Sequence, residues 1–402
     1  MKLKNLFFGE LLKNSIYAER FVNDAKGRFE DYSEVNPHYD PRGNIPFINL
    51  PYILVPKKDC LLLKSKPQKE LLDWVYFDGK YRFFWHPDVL RNGFTPSGFV
   101  VVQPTSSTRT LLTENNPRVY IKTDLNKKHF RFIRRLRKSS VEHSIAVCDD
   151  LMEFGKTIPA SSRYAFLPES LGLVLKRGEY ADSGVLFREL KPYPYAKEPR
   201  IIIPYHSLYA NDSYNVEDKP LVVQILELHA NGKYLEYFVS EIIGPILEAW
   251  VLLVSKRGLL PELHGQNALA EINKDLRICR IVHRDFQSIY SDGLIRKDLN
   301  LFLFKKHIIG EEQGTTVRSQ YSNVFDSLIG RYLLKRLIKT FCNYFKMDYY
   351  EIASAVKDYH HSIAGWEKAK FPKETYRFKL SAQEQQGNDV CLVDIGEKPE
   401  FR

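Results

Sequence analysis

One change of pattern constrains this chain more than any other feature. Between residues 61 and 125 the apolar residues are dense and alternate with polar ones, as in "YRFFW", "GFVVVQP" and "RVYIKTDL". A period of two puts one face of each segment against a core, so this part reads as an antiparallel sheet. More strands follow in "LGLVLKRG", "SGVLFREL" and "PRIIIPYHSL", after a loop at 156–164. From about residue 219 the apolar spacing becomes three and four, as in "KYLEYFVSEIIGPILEAWVLLVSKRG", where Gly258 supplies a C-terminal stop. Helices are also expected over 1–35, 127–155 and roughly 316–366, and an extended loop with short strands over 36–60. A sheet-bearing N-terminal half followed by a more helical C-terminal half implies an α+β fold with a cleft between the halves. The expected units are an N-terminal segment at 1–60, a sheet-bearing domain at 61–218 and a mostly helical domain at 219–402.

Bulk properties narrow the class. The 402 residues, 44% hydrophobic and 27% charged, suffice for two or three sizeable cores. The net charge of +10 suits an anionic partner without choosing among nucleic acid, nucleotide and polycarboxylate. Five scattered cysteines with no CxxC pair argue against a disulfide framework or a zinc site and favour a reducing cytoplasm. The N-terminus has no apolar run longer than three residues, so no secretory signal is expected. The longest apolar stretch, Ile242 to Val254, is interrupted by Pro245 and Glu248 and reads as too short and broken to span a bilayer.

Three stretches could carry chemistry. In "QPTSSTRTLLTENNPRVYIKTDL", Ser106, Ser107, Thr108 and Thr110 surround Arg109, and a hairpin would return Lys122 beside it. Hydroxyls and a guanidinium fork suit phosphate oxygens; the alternative is a polar turn whose hydroxyls cap their own backbone. "NKKHFRFIRRLRKSS", read as a helix over 126–140, puts Arg131, Arg134, Arg135 and Lys138 on one face and Phe130, Ile133 and Leu136 near the other. That face is either an anion site or a solvated surface. No zinc-finger or RNP signature accompanies it, which argues against nucleic acid. In "LPELHGQNALAEINKDLRICRIVHRDF", a strand over "PELHGQN" would place Glu262, His264 and Gln266 on one face, with Asn267 following. Asp285 would then end a hairpin whose second strand is "RICRIVHRD", at a position suited to Mg²⁺ held against phosphates. So many converging polar groups are costly to order without a partner.

Taken together, "SSTRT", "YIKTDLNKKHFRFIRRL", "GLLPELHGQN" and "HRDF" resemble the NRPS-independent siderophore synthetases, the aerobactin-synthetase-like enzymes. The intervals agree: twelve residues from Thr110 to Lys122, twelve more to Arg134, and eighteen from Asn267 to Asp285. "GVLFREL", with Arg188 and Glu189, looks like a further strand of that family. The resemblance covers residues 85–300 well and the helical tail loosely. It departs at the N-terminus: "FWHPDVL", with His86 only 21 residues before Ser107, looks like the family's second, structural His-Pro segment, so the N-terminal portion is expected to be trimmed or divergent.

The resemblance implies a cupped-hand synthetase with a kinase-like helical palm. It implies an ATP-dependent ligase that adenylates a carboxylic acid, citrate or another polycarboxylate, and joins it to an amine or alcohol. Ser107, Arg109, Thr110, Lys122, Gln266, Asn267 and Asp285 would bind ATP, and Asp285 and Glu262 would hold Mg²⁺. Arg134, His264, Arg109 and Lys122 would act on the reacting groups, with His264 also a candidate general base. The reading leaves a homodimer open and expects no membrane partner. The competing reading is a non-catalytic relative, or a basic protein that binds nucleic acid or a protein partner.

Overall fold

The computed structural model describes residues 1–24, 34–41, 43–90, 94–129, 132–309, 317–364, 370–379 and 391–402. The chain opens with a helix, α1 (Leu11–Phe21), and continues through β1 (Ile48–Pro56), β2 (Cys60–Lys64), α2 (Lys69–Val75), β3 (Tyr76–Phe77), β4 (Lys80–Phe84), β5 (Gly98–Pro104), β6 (Thr110–Thr113) and β7 (Val119–Thr123). Two short strands, β8 (Lys128–His129) and β9 (Phe132–Ile133), precede α3 (Lys138–Gly155). Then come β10 (Tyr164–Phe166), β11 (Leu171–Leu175), β12 (Gly184–Glu189), β13 (Ile201–Pro204), β14 (Leu259–Leu260), β15 (Ala268–Ile272) and β16 (Ile278–His283).

Nine strands form one sheet in the order β2-β11-β12-β7-β6-β5-β1-β4-β3, antiparallel at every junction. It takes in β1, which lies before residue 60, so the sheet starts earlier in the chain than the alternation alone suggests. One face carries Leu111, Ile121, Val185 and Phe187 into an aromatic-rich core with Phe83, Phe84 and Trp85. The other face carries Leu112 and Tyr120, which pack on Leu269, Val282 and Ala165 of a second sheet ordered β10-β16-β15-β13, with Ile16 of α1 closing the cluster. The molecule is therefore α+β, with two sheets stacked through a small apolar layer. Beyond them lies a large helical core.

The helical expectation for the C-terminal half holds over Leu221–His229, Tyr234–Arg257, the run from Val317 to Phe345 and Tyr349–Ile363. Gly258 terminates the second of these at φ 60°, a left-handed conformation glycine adopts without a Cβ penalty. The reading of Ile242–Val254 as too broken needs correction. Pro245 sits beside a π-helical stretch, Phe238–Ile243, which passes the chain into the next turn without a break. The resulting 24-residue helix is long and apolar enough to cross a membrane by length and composition. In the fold, 67% of its most apolar window is buried, and Leu247, Trp250, Leu253 and Val254 belong to the helical core.

Two local expectations are also corrected. Over 126–137 the expected helix is replaced by the short antiparallel pair β8–β9, with Lys128 opposite Ile133, and helix begins only with α3 at Lys138; Phe130 and Arg131 lie outside the described residues. The cause is long-range: Asp124 accepts hydrogen bonds from the Leu136 amide at 2.9 Å and from Arg135 Nε at 3.1 Å. Arg109 donates to the carbonyl oxygens of Arg134 and Arg135 at 2.9 and 3.1 Å, removing acceptors that a helix needs. The strand expected over "PELHGQN" is a coil of tight turns, closed by Asn267 N donating to His264 O at 3.0 Å. The hairpin itself is real, but its first strand is β15, Ala268–Ile272. Along 1–35, the described helix is α1 together with a short turn at Leu3–Asn5; residues 25–33 lie outside the described residues.

Candidate functional site

Strand alternation explains how the cations converge. Thr110 pairs with Lys122 in the β6–β7 hairpin, and Leu186 pairs with Lys122 in β12. Partners directly opposite share a face, and so do residues two apart. Thr110, Lys122 and Arg188 therefore lie on the face that holds Leu112 and Tyr120, one step beyond the apolar layer. Asp285 follows the end of β16 on the opposing sheet, and its carboxylate accepts from Lys122 Nζ at 2.7 Å. The Lys122 side chain is 5% exposed and that of Asp285 31%.

The electrostatics centre on Asp285. Burial would raise its carboxyl, but the charges of Lys122 and Arg188 and the Lys122 hydrogen bond hold it well below the usual range. Burial lowers Lys122, and Asp285 opposes that drop. Arg109 is lowered to about 10 by burial and by the like charge of Arg134. Arg134 is lowered by burial, opposed by Asp285 and Glu262. Glu262 is pushed up to about 8, first by burial and then by repulsion from Asp285. Arg188 forms a buried pair with Glu169 at 2.5 Å, and Glu169 also accepts from the Phe286 amide at 3.3 Å. The structure thus brings Arg109, Lys122, Arg134, Glu262 and Asp285 into one electrostatic cluster.

Two turns wall the cluster. In the first, Thr105 Oγ1 donates to Thr110 O at 2.7 Å and accepts from the Ser107 amide at 3.1 Å, while Ser107 Oγ accepts from the Arg109 amide at 3.4 Å. These hydroxyls cap their own backbone, as the turn alternative expected, while fixing where Arg109 leaves the chain. His86 buttresses the turn from behind. Its Nδ1 accepts from the Asp88 amide at 3.2 Å, so its Nε2 donates to Thr108 O at 2.9 Å. In the second turn, His264 Nδ1 accepts from the Gln266 amide at 3.3 Å, which leaves the proton on Nε2. Burial holds His264 at about 4, so the ring is neutral near pH 7. Gly265 makes a close approach: a Cβ there would lie 2.5 Å from Tyr209 Oη and 3.3 Å from His206 Cβ, so a larger residue would push Tyr209 aside. Asn267 is buried and accepts the Arg284 amide on its carbonyl at 3.1 Å.

Sequence reasoning assigned no role to Glu19, Glu169 or Gln287. Gln287 Oε1 accepts from Arg109 at 3.2 Å. Glu19 accepts from both Arg284 and Ser106. The available signal was Glu19's position in α1: with Leu12 and Ile16 it occupies one helical stripe, where a charge is out of place unless paired.

The donor set fits a magnesium ion. Among the described residues no group of three or more His, Cys, Asp or Glu side chains could hold a metal. Mg²⁺, however, commonly takes one or two carboxylates and completes its shell with water and phosphate. Glu262 and Asp285 would supply two such oxygens, and a bound cation would offset the Asp285 repulsion that adds to burial in raising Glu262.

Residues 94–210, which hold the first turn, Lys122, Arg134 and Arg188, match the model of the IucA / IucC family. Solved structures share the fold across most of the chain. The petrobactin biosynthesis protein AsbB from Bacillus anthracis superposes with a TM-score of 0.67 at 17% identity, covering 91% of this chain and 70% of that one. ATP-bound aerobactin synthetase IucA from Klebsiella pneumoniae gives 0.70 at 13% identity, covering 92% and 73%. Aerobactin synthetase IucC from the same organism gives 0.69 at 14%, covering 93% and 74%. No curated protein matches the sequence.

Proposed function

We propose that this chain, whose residues 94–210 match the IucA / IucC family model and whose fold is shared with solved synthetases IucA and IucC, is an ATP-dependent ligase. It activates a carboxylic acid and joins it to an amine or alcohol, in the cytoplasm. The observation that carries the reading is the cluster of Arg109, Lys122 and Arg134 around Asp285, a buried concentration of cations facing two carboxyl groups. Fixed cations in a water-poor site stabilise the charge that develops in phosphoryl and adenylyl transfer, because they need no reorganisation during the reaction.

A substrate carboxylate oxygen attacks the α-phosphorus of ATP, the bond to the bridging oxygen breaks, and pyrophosphate leaves. The nucleophile then attacks the acyl carbon, AMP departs, and the nucleophile's proton is released. Arg109 and Lys122 neutralise the phosphates, with the Ser107 and Thr110 hydroxyls beside them. Arg134 orients the carboxylate. His264, neutral and carrying its proton on Nε2, donates a hydrogen bond to a phosphate or carboxylate oxygen, a role its geometry supports better than that of general base. Gln266 and Asn267 shape the nucleotide side. Asp285 and Glu262 would hold Mg²⁺, which supplies charge neutralisation on the phosphate oxygens. Residues 61–218 act as the ATP- and carboxylate-binding fingers and 219–402 as the palm.

The test is a screen of polycarboxylates and amines for ATP-dependent pyrophosphate release, with products identified by mass spectrometry. Release that depends on a particular acid supports the ligase. No thermal shift with ATP–Mg²⁺, together with salt-sensitive binding of RNA or DNA, would replace it with a nucleic-acid-binding role.

A further inference from the structure

The two turns that wall the site are tied to each other by a residue far from both in sequence. Glu19, on α1, is 3% exposed. Its Oε1 accepts from Ser106 Oγ at 2.8 Å, from the Ser106 amide at 3.3 Å and from Arg284 at 2.7 Å; its Oε2 accepts from Arg284 at 3.0 Å. Gln266 Nε2 donates to the same Ser106 Oγ at 3.2 Å, and Arg284 Nε donates to Gln266 O at 3.0 Å. The bonds close a ring: Glu19 to Ser106, Ser106 to Gln266, Gln266 to Arg284, Arg284 back to Glu19. The Glu19 carbonyl is itself held by His206 Nε2 at 3.1 Å.

The three members other than Glu19 each adjoin a site residue. Ser106 precedes Ser107, Gln266 lies between Gly265 and Asn267, and Arg284 precedes Asp285. We infer that Glu19 is a positioning residue which sets the spacing between the two nucleotide-facing turns and aims Asp285, touching no substrate itself. The carboxylate is chemically suited to this. It has two oxygens that take the parallel donors of one guanidinium while accepting a hydroxyl and an amide, and no neutral side chain offers that capacity. Closing the ring also neutralises Arg284, which would otherwise be an unpaired buried cation next to Asp285 in the chain. The inference rests on the ligase reading only for the identity of the ligand it positions.

The experiment uses the full chain and three variants: Glu19→Gln, Ser106→Ala and Arg20→Ala. Arg20, the next residue of α1, binds the carbonyls of Pro41, Gly43 and Ile45 and serves as a control for loss of helix anchoring. ATP–Mg²⁺ affinity is read by calorimetry, and amide hydrogen exchange is read over 105–110 and 264–267. Glu19→Gln is expected to weaken ATP binding by about 10- to 100-fold, the range for small misplacements of a binding constellation. It should also speed exchange in both turns. Ser106→Ala should do the same more weakly, and the two should not add. Arg20→Ala should lower the melting temperature while leaving affinity within about twofold, well below the effect of losing a bound group. The inference is overturned if Glu19→Gln changes neither quantity, or if Arg20→Ala produces equal changes at equal loss of stability. Should Glu19→Gln fail to fold, Ser106→Ala against Arg20→Ala decides. If the unmodified chain binds no ATP, the ligase reading fails, and the exchange measurement still decides whether the ring holds the turns together.

Discussion

Lys122 and Asp285, 163 residues apart in the chain, meet at 2.7 Å and join the nine-stranded sheet to the end of β16. A buried ammonium is tolerated only with such a partner, and the attraction must repay the desolvation of both charges. Removing one partner should therefore hurt stability more than removing both. Asp285→Asn and Lys122→Met are each expected to destabilise by about 2–4 kcal/mol, and the double variant by clearly less than their sum. Urea unfolding of the four proteins measures this. Additive losses would show that the pair contributes nothing.

Arg109 serves three acceptors at once, the carbonyls of Arg134 and Arg135 and the Gln287 side chain. A lysine has the charge but no planar fork. Arg109→Lys should consequently release the 134–135 turn and misplace Arg134, cutting kcat/KM about 100-fold, the scale of losing one preorganised donor. ATP-dependent pyrophosphate release under steady-state conditions reads the effect, and a variant with unchanged kcat/KM would contradict it.

Glu262 gives the pH dependence of stability a definite sign. Its folded value is about 8, above the ordinary 4.5, so between those values the folded chain holds a proton that the unfolded chain has released. Stability from this group is complete below about pH 4.5 and is lost as pH rises through about 8. Glu262→Gln should be close to the parent in stability at pH 5 and more stable at pH 9, by on the order of 1 kcal/mol or more. Denaturant midpoints across that range check it; parallel curves for the two proteins would refute it.

His264 sets the opposite window. Burial holds it at about 4, below its ordinary 6.5, so it penalises the fold as pH falls from 6.5 toward 4 and not above. In catalysis it should be silent near neutrality. The pH profile of kcat/KM is expected to carry no inflection near 6.5 that disappears in His264→Gln. Finding one would return the histidine to a proton-transfer role.

Local pattern announced the strands and the β6–β7 hairpin, because period-two alternation and burial are the same fact seen twice. It also brought Arg109 and Lys122 to the same end of that hairpin. It failed where distant groups claim the backbone. The residues around Arg134 have helical spacing, yet Arg109 takes two of their carbonyls and Asp124 takes the Leu136 amide, and the chain pairs β8 with β9 before helix begins at Lys138. "PELHGQN" alternates like a strand, but Gly265 lets it fold tightly against Tyr209. Glu19 was illegible as a partner of Arg284 because 265 residues separate them; only its charge on an apolar stripe hinted at a buried role.

Asp285 also has φ 75°, in the left-handed region. Two unrelated requirements therefore meet at one position. The backbone there admits glycine, asparagine and aspartate with little penalty and disfavours longer or β-branched side chains. The field of Lys122 and Arg188 asks for an anion, which glycine and asparagine cannot supply and for which glutamate has the wrong backbone preference. Of the twenty side chains, aspartate alone satisfies both, so replacing it tests either the shape of the chain or its charge, and asparagine is the substitution that isolates the second.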